Sequence, residues 1–180
     1  MTEEKMEEVL KERHKLLERM RDSFQEELIA SEIAVPDQEG ASEILNVVLD
    51  MLGGGEAEEG SFGEFYFDPI HSEEDEIQRF TAAITIMDQL PEEHLPELYE
   101  AMAHINFRLP CGAYSIDKEK QFLAYRLTVP LSMELKGDTL YDAMDVCVAS
   151  AINAADLYME PLIRLAIGEL TLEEMEALLP

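Results

Sequence analysis

Four histidines, two cysteines and forty carboxylates are the side chains of this chain best suited to chemistry. Metal binding would need several of them converging at short, regular spacing. His14, His71, His94 and His104 are not spaced that way. His71 stands beside Glu73, Glu74, Asp75 and Glu76, the densest acidic cluster, which could offer oxygens to calcium or magnesium. The calcium-loop pattern and its glycine are missing there, so a solvated hairpin loop is the expected reading and an ion site the lesser one. Cys111 lies between Pro110 and Gly112, with Arg108 the nearest cation. That is a weak setting for a reactive thiolate, which needs positive charge close by. Both Cys111 and Cys147 are expected to be reduced thiols in or near a core.

Other catalytic patterns are equally thin. Gly53-Gly54-Gly55 lacks the following Gly-Lys-Ser/Thr of a phosphate loop, and Glu56, Glu58 and Glu59 would repel a phosphate. It reads as a flexible turn. Acidic residues are so frequent that any pair of them resembles an acid–base dyad, which makes such a pair uninformative until one is buried. No nucleophile elbow, zinc-protease helix or dinucleotide fingerprint occurs. The expectation is a protein that is not an enzyme, with no cofactor and no metal.

The elements that would position these groups must fold from 180 residues carrying a net charge of −27. Hydrophobic residues make up 47%, which excludes a disordered acidic tail. The charge argues against nucleic acid and against an anionic membrane surface. No unbroken run of ~18 apolar residues occurs, and the N-terminus does not resemble a secretory signal. The expected location is the cytoplasm. The charge is uneven. Residues 1–30 hold six basic and nine acidic side chains, whereas residues 31–107 hold nineteen acidic ones and a single basic one, Arg79.

Periodicity supplies the element order. Residues 3 to about 30 read as an amphipathic helix, with Met6, Val9, Leu10, Leu17, Met20, Phe24 and Leu28 at helical steps. Its basic side chains suit docking on an acidic body or pairing with a second subunit. Residues 36–42 read as a linker. Ile44 to Leu52 fits either element, its Ile, Val and Leu content favouring a strand. Strands follow at 61–68 and 77–87, then a helix from near Leu95 to Ile105, with Asn106 expected as a left-handed C-cap. Strands at 112–116 and 121–130 flank the polar loop Asp117 to Lys120. A long helix starts near Thr139, whose capping partner would be Asp142, and Pro161 should kink or break it. A last helix, capped by Thr171 and Glu174, ends near Leu178. The whole is a single α+β domain, 1–180. Residues 1–30 form the N-terminal helix and 36–180 the core, with an antiparallel sheet of about five strands in helix-βββ-helix-ββ-helix order.

From Leu90 onward the chain resembles the YbjN-like family, described as bacterial sensory transduction regulators. The residues carrying the resemblance are Ile105-Asn106, the run Leu109-Pro110-Cys111-Gly112-Ala113-Tyr114-Ser115-Ile116-Asp117, then Leu123 to Leu131 and the long helix to Gly168. That family is similar in fold to type III secretion chaperones, which are small, acidic and mostly dimeric and bind an extended partner segment. The resemblance implies a type III secretion chaperone-like fold and an interaction mode, with no catalytic residues. The three glycines and the long basic-striped first helix depart from it.

The functional expectation is therefore a non-enzymatic protein-binding module, chaperone-like or regulatory, acting on a protein or an extended peptide and forming a homodimer. The mixed face of the 121–130 strand, with Phe122, Arg126 and Thr128, is the candidate partner surface. One alternative is an acidic inhibitor or immunity-type protein that neutralises a basic target through electrostatic steering. A further alternative is a small ion-dependent enzyme.

Overall fold

A computed structural model describes residues 3–36, 41–50, 52, 61–70 and 76–178 of the chain. The elements are α1 (Glu3–Glu26), β1 (Ser31–Ala34), β2 (Ile44–Leu49), β3 (Ser61–Phe67), β4 (Ile77–Met87), α2 (Leu95–Arg108), β5 (Ala113–Asp117), β6 (Phe122–Ser132), α3 (Gly137–Ala166) and α4 (Leu172–Leu178). The fold is α+β, with an antiparallel open sheet of six strands in the order β1-β2-β3-β4-β6-β5. The sheet has one strand more than the sequence suggests. β1 is only four residues, Ser-Glu-Ile-Ala, too short to show a period, and its pairing with β2 makes it a strand. The triple glycine and the His71–Asp75 part of the acidic cluster lie outside the described residues.

The chain gathers into two compact units. The first comprises Met1–Val48, Gly63–Ala82 and Thr128–Ala149, the second Leu49–Phe62, Ala83–Leu127 and Ser150–Pro180.

In the first unit, α1 buries Leu16, Leu17 and Met20. Phe24 stacks on Phe65, with ring centroids 6.0 Å apart. The helix exits through Leu28, whose φ is 64°. Ile29 N–H then bonds the Phe24 carbonyl at 2.9 Å, which reverses the chain into β1. β1 pairs with β2 in the register Ser31 to Val47 through Ala34 to Ile44.

The start of α3 also belongs to this unit, and the capping differs from expectation. The helix begins at Gly137, so Thr139 lies inside it. Gly137 N–H donates to Glu12 Oε1 at 2.8 Å, and Arg19 Nη1 donates to Asp138 Oδ1 at 2.6 Å. A carboxylate brought from α1 thus does the work of a local cap.

In the second unit, Tyr114, Tyr125 and Tyr158 pack edge to face, with Tyr114 centroids 5.2 Å from Tyr125 and 6.1 Å from Tyr158. The Tyr114 hydroxyl donates to the Ala154 carbonyl at 2.5 Å. Burial pushes its pKa well above the usual phenol range.

Two further expectations change in this unit, at Asn106 and Cys111, and the one at Pro161 is narrowed by the absence of a break. Asn106 is inside α2, and the helix is capped by Leu109 in extended backbone. Pro161 does not break α3, which runs on to Ala166. The carbonyl deprived of its donor belongs to Leu157, an exposed residue, while Tyr158, Met159, Leu162 and Leu165 stay buried around the proline. Cys111 is exposed, whereas Cys147 is buried as expected. The Thr171–Glu174 box forms as read. Thr171 N–H donates to Glu174 Oε2 at 2.9 Å, and Glu174 N–H donates to Thr171 Oγ1 at 3.2 Å.

By length and composition α3 is apolar enough to cross a bilayer, a property it shares with the core helices of soluble proteins. A search for unbroken apolar runs passes over it.

Candidate functional site

Phe122 and Arg126, on β6 in the second unit, stand on the same side of the strand, ~13 Å apart along it. Phe122 is half-buried, with the Lys120 ammonium 6.0 Å from its ring centroid. Arg126 is exposed and sits opposite Ala113 on β5. Thr128 belongs to the first unit. Its hydroxyl is 3.0 Å from that of Thr81, which in turn donates to Asp68 Oδ1. Thr128 is half-buried and takes part in a local hydroxyl network. Of the three, Arg126 is the exposed side chain, with Phe122 and Thr128 half-buried.

The two edges of the sheet are finished differently. At β5, Asn106 Nδ2 donates to the Tyr114 carbonyl at 3.0 Å, and Tyr114 N–H donates to Asn106 Oδ1 at 2.8 Å. One side-chain amide thus takes the donor and the acceptor that a neighbouring strand would use. Asn is the shortest side chain that carries both groups.

At β1 the ladder phase is set by Val48 N–H, which bonds the Ala30 carbonyl at 2.9 Å. Alternation then turns Ala30, Glu32 and Ala34 toward β2, and Ser31 and Ile33 toward the edge. Gln25 Nε2 takes the Ser31 carbonyl at 3.0 Å. Ile33 has no side-chain partner of this kind among the described residues, and Val35 beyond it is 69% exposed.

The first unit also holds a cavity of about 740 Å³ between α1, the end of β1 and the end of β3. Its wall is largely apolar, from Met6, Leu10, Val35, Pro36, Phe67 and Ile70. Arg13 is part of that wall and is only 6% exposed. Its guanidinium donates from Nε to Gln78 Oε1 at 3.2 Å and from Nη1 to the Asp68 carbonyl at 3.1 Å, and lies 4.6 Å from the Phe67 ring centroid. Nη2 is buried without a hydrogen-bond partner among the described residues. Burial lowers the Arg13 pKa to about 10, with the Asp68 charge opposing the shift, so the group stays cationic at neutral pH. At the rim, His14 Nδ1 lies 2.9 Å from Glu43 Oε2, with Lys11, Lys15 and Glu18 nearby.

Sequence reading passed over Arg13 as one of six basic residues on a charged helix. A signal was nevertheless present. Met6, Leu10, Arg13, Leu17, Met20 and Phe24 follow one another at three- and four-residue steps, so Arg13 occupies a stripe position that should be apolar. Arg13 and His14 touch the acidic 31–107 stretch, at the Asp68 carbonyl and at Glu43, while Arg19 turns to Asp138 and Arg21 to Asp22.

Among the described residues no group of three or more His, Cys, Asp or Glu side chains is arranged to hold a metal ion. His104 is exposed and pairs through Nδ1 with Glu176 Oε1. No protein-family model matches the chain, and no curated protein matches it.

Proposed function

We propose that this protein is a non-enzymatic binding module, chaperone-like or regulatory, that takes an extended protein segment as an additional strand on β1. The carrying observation is the asymmetry of the sheet edges. β5 spends the Asn106 amide on closing its edge, whereas β1 turns the backbone of Ile33 outward with no equivalent closure among the described residues. Strand addition draws its affinity from main-chain hydrogen bonds and its selectivity from alternate side chains. Glu32 and the acidic surroundings of β1 favour a basic segment. Phe122 and Arg126 form a secondary contact surface in this reading. The resemblance to YbjN-like proteins and to the type III secretion chaperone fold agrees with such a mode, and the reading includes a cytoplasmic location and a homodimer.

Replacing Ile33 with proline tests the reading. Proline at an outward edge position removes the N–H a partner needs and leaves the β1–β2 ladder bonds intact. Affinity capture of partners from a bacterial lysate by wild type, Ile33→Pro and Arg126→Glu should show a protein lost with the first variant and weakened with the second. An unchanged set of captured proteins with both variants would reject the assignment.

A further inference from the structure

The unpartnered Arg13 Nη2 and the apolar cavity beside it belong to one construction. A buried cation is tolerated when its hydrogen bonds are satisfied and its charge is met. Arg13 has two donors in use, an aromatic face against it and no ion-paired carboxylate among the described residues. The Asp68 side chain instead accepts from Thr81. Nη2 is thus left without a partner among the described residues, on a side chain that lines both this cavity, which keeps Leu10 at 53% and Val35 at 69% exposure, and a second one shared with Glu8, Glu12 and Gln78.

We propose that this cavity binds an apolar-tailed monoanion, a medium-chain carboxylate whose head meets the Arg13 guanidinium and whose chain lies against Leu10, Val35 and Ile70. Three features select that class. The volume, about 740 Å³, is in the range of small-molecule sites. The surplus is a single nitrogen and a single charge, which suits a carboxylate better than a phosphate dianion. Glu18 and Glu43 at the rim would repel extra negative charge, while Lys11 and Lys15 draw a monoanion toward the mouth. Nη2 is closed off from solvent, so binding includes a turn of the guanidinium toward the head group at the expense of its bond to Gln78 or to the Asp68 carbonyl. This site adjoins the end of β1 and shares Val35 with that edge, but it does not rest on the strand-addition reading.

The test is calorimetric titration of the full chain with decanoate, kept below its micelle-forming concentration, and in parallel with decanol. Decanoate should bind and decanol should bind at least about tenfold more weakly, the loss expected for a charge-assisted hydrogen bond. Arg13→Met should abolish that preference while circular dichroism shows the fold kept. Leu10→Asp, an exposed substitution that leaves the core alone, should weaken decanoate by a similar factor through its tail. Equal binding of acid and alcohol, or no binding of decanoate by a folded wild type, would overturn the proposal. So would binding of a peptide with an apolar C-terminal acid when decanoate does not bind, which would mark the cavity as a seat for a protein chain end.

Discussion

The side-chain amide of Asn106 holds Tyr114 at both of its backbone polar atoms, at 3.0 and 2.8 Å, and so closes the outer edge of β5. An edge strand with unpaired N–H and C=O groups is a template for aggregation. Asn106→Leu should destabilise the protein by roughly 1–3 kcal/mol, because a partly buried donor and acceptor lose their partners. The same variant should also form larger species in light scattering at concentrations where wild type does not. A variant of wild-type mass and stability would show that the amide does not guard the edge.

Leu28 adopts φ 64° at the end of α1 and is 95% exposed. A left-handed backbone costs an L-residue with a side chain roughly 1–2 kcal/mol, whereas glycine adopts it freely at some cost in unfolded-chain entropy. Leu28→Gly should therefore raise the unfolding free energy by about 0.5 kcal/mol. Urea denaturation would show the midpoint moving upward, and a downward shift would mean that Leu28 packs more than its exposure indicates.

Gly112 is the reverse case. Its φ is +65°, and a Cβ there would lie 2.1 Å from the Tyr125 hydroxyl oxygen and 2.9 Å from the Arg126 carbonyl. The Tyr125 hydroxyl donates to the Cys111 carbonyl at 2.8 Å, so it cannot swing away without breaking that bond. Gly112→Ala should cost more than about 2 kcal/mol, combining backbone strain with a lost hydrogen bond. Chemical denaturation checks this, and a near-neutral result would show that the turn can re-form elsewhere.

Glu174 provides a pH marker. The Thr171 N–H and hydroxyl both donate to its carboxylate and hold its pKa below the ordinary 4.5. The folded pKa is lower than the unfolded one, so the capping contribution is present above the unfolded value. It is lost as pH falls through the folded value. In NMR the Thr171 amide should titrate with a midpoint below 4.5. Glu174→Gln should keep the cap, since Gln still accepts the bond, and should remove the titration. A titration that persists in the variant would assign the effect to another carboxylate.

Much of this fold was readable along the chain. β4 has the expected bounds, 77–87, and its Phe80, Ala82, Ile84 and Ile86 are buried on alternate positions. The Asp117 loop works as read, with Asp117 Oδ1 accepting from the Glu119 and Lys120 N–H groups. Asn106 was misread because its type suits a left-handed cap, and only the position of β5 reveals that its amide has a strand edge to serve. Of the surface expected on β6, Arg126 is exposed and Phe122 and Thr128 are half-buried. Thr128 is bound to Thr81, a residue 47 positions away that no local pattern could connect to it.

Features decided by the sequence are those whose energies act within a few residues: helical and strand periodicity, the Thr171–Glu174 box and the Asp117 turn. The tertiary structure alone decided the rest. It made a strand of Ser31–Ala34, brought Glu12 to the first N–H of α3 across 125 residues, and buried Arg13 beside Gln78 across 65. Those outcomes depend on which polar groups are desolvated together. Desolvation is a property of the packed chain, in which groups remote in sequence become each other's solvent.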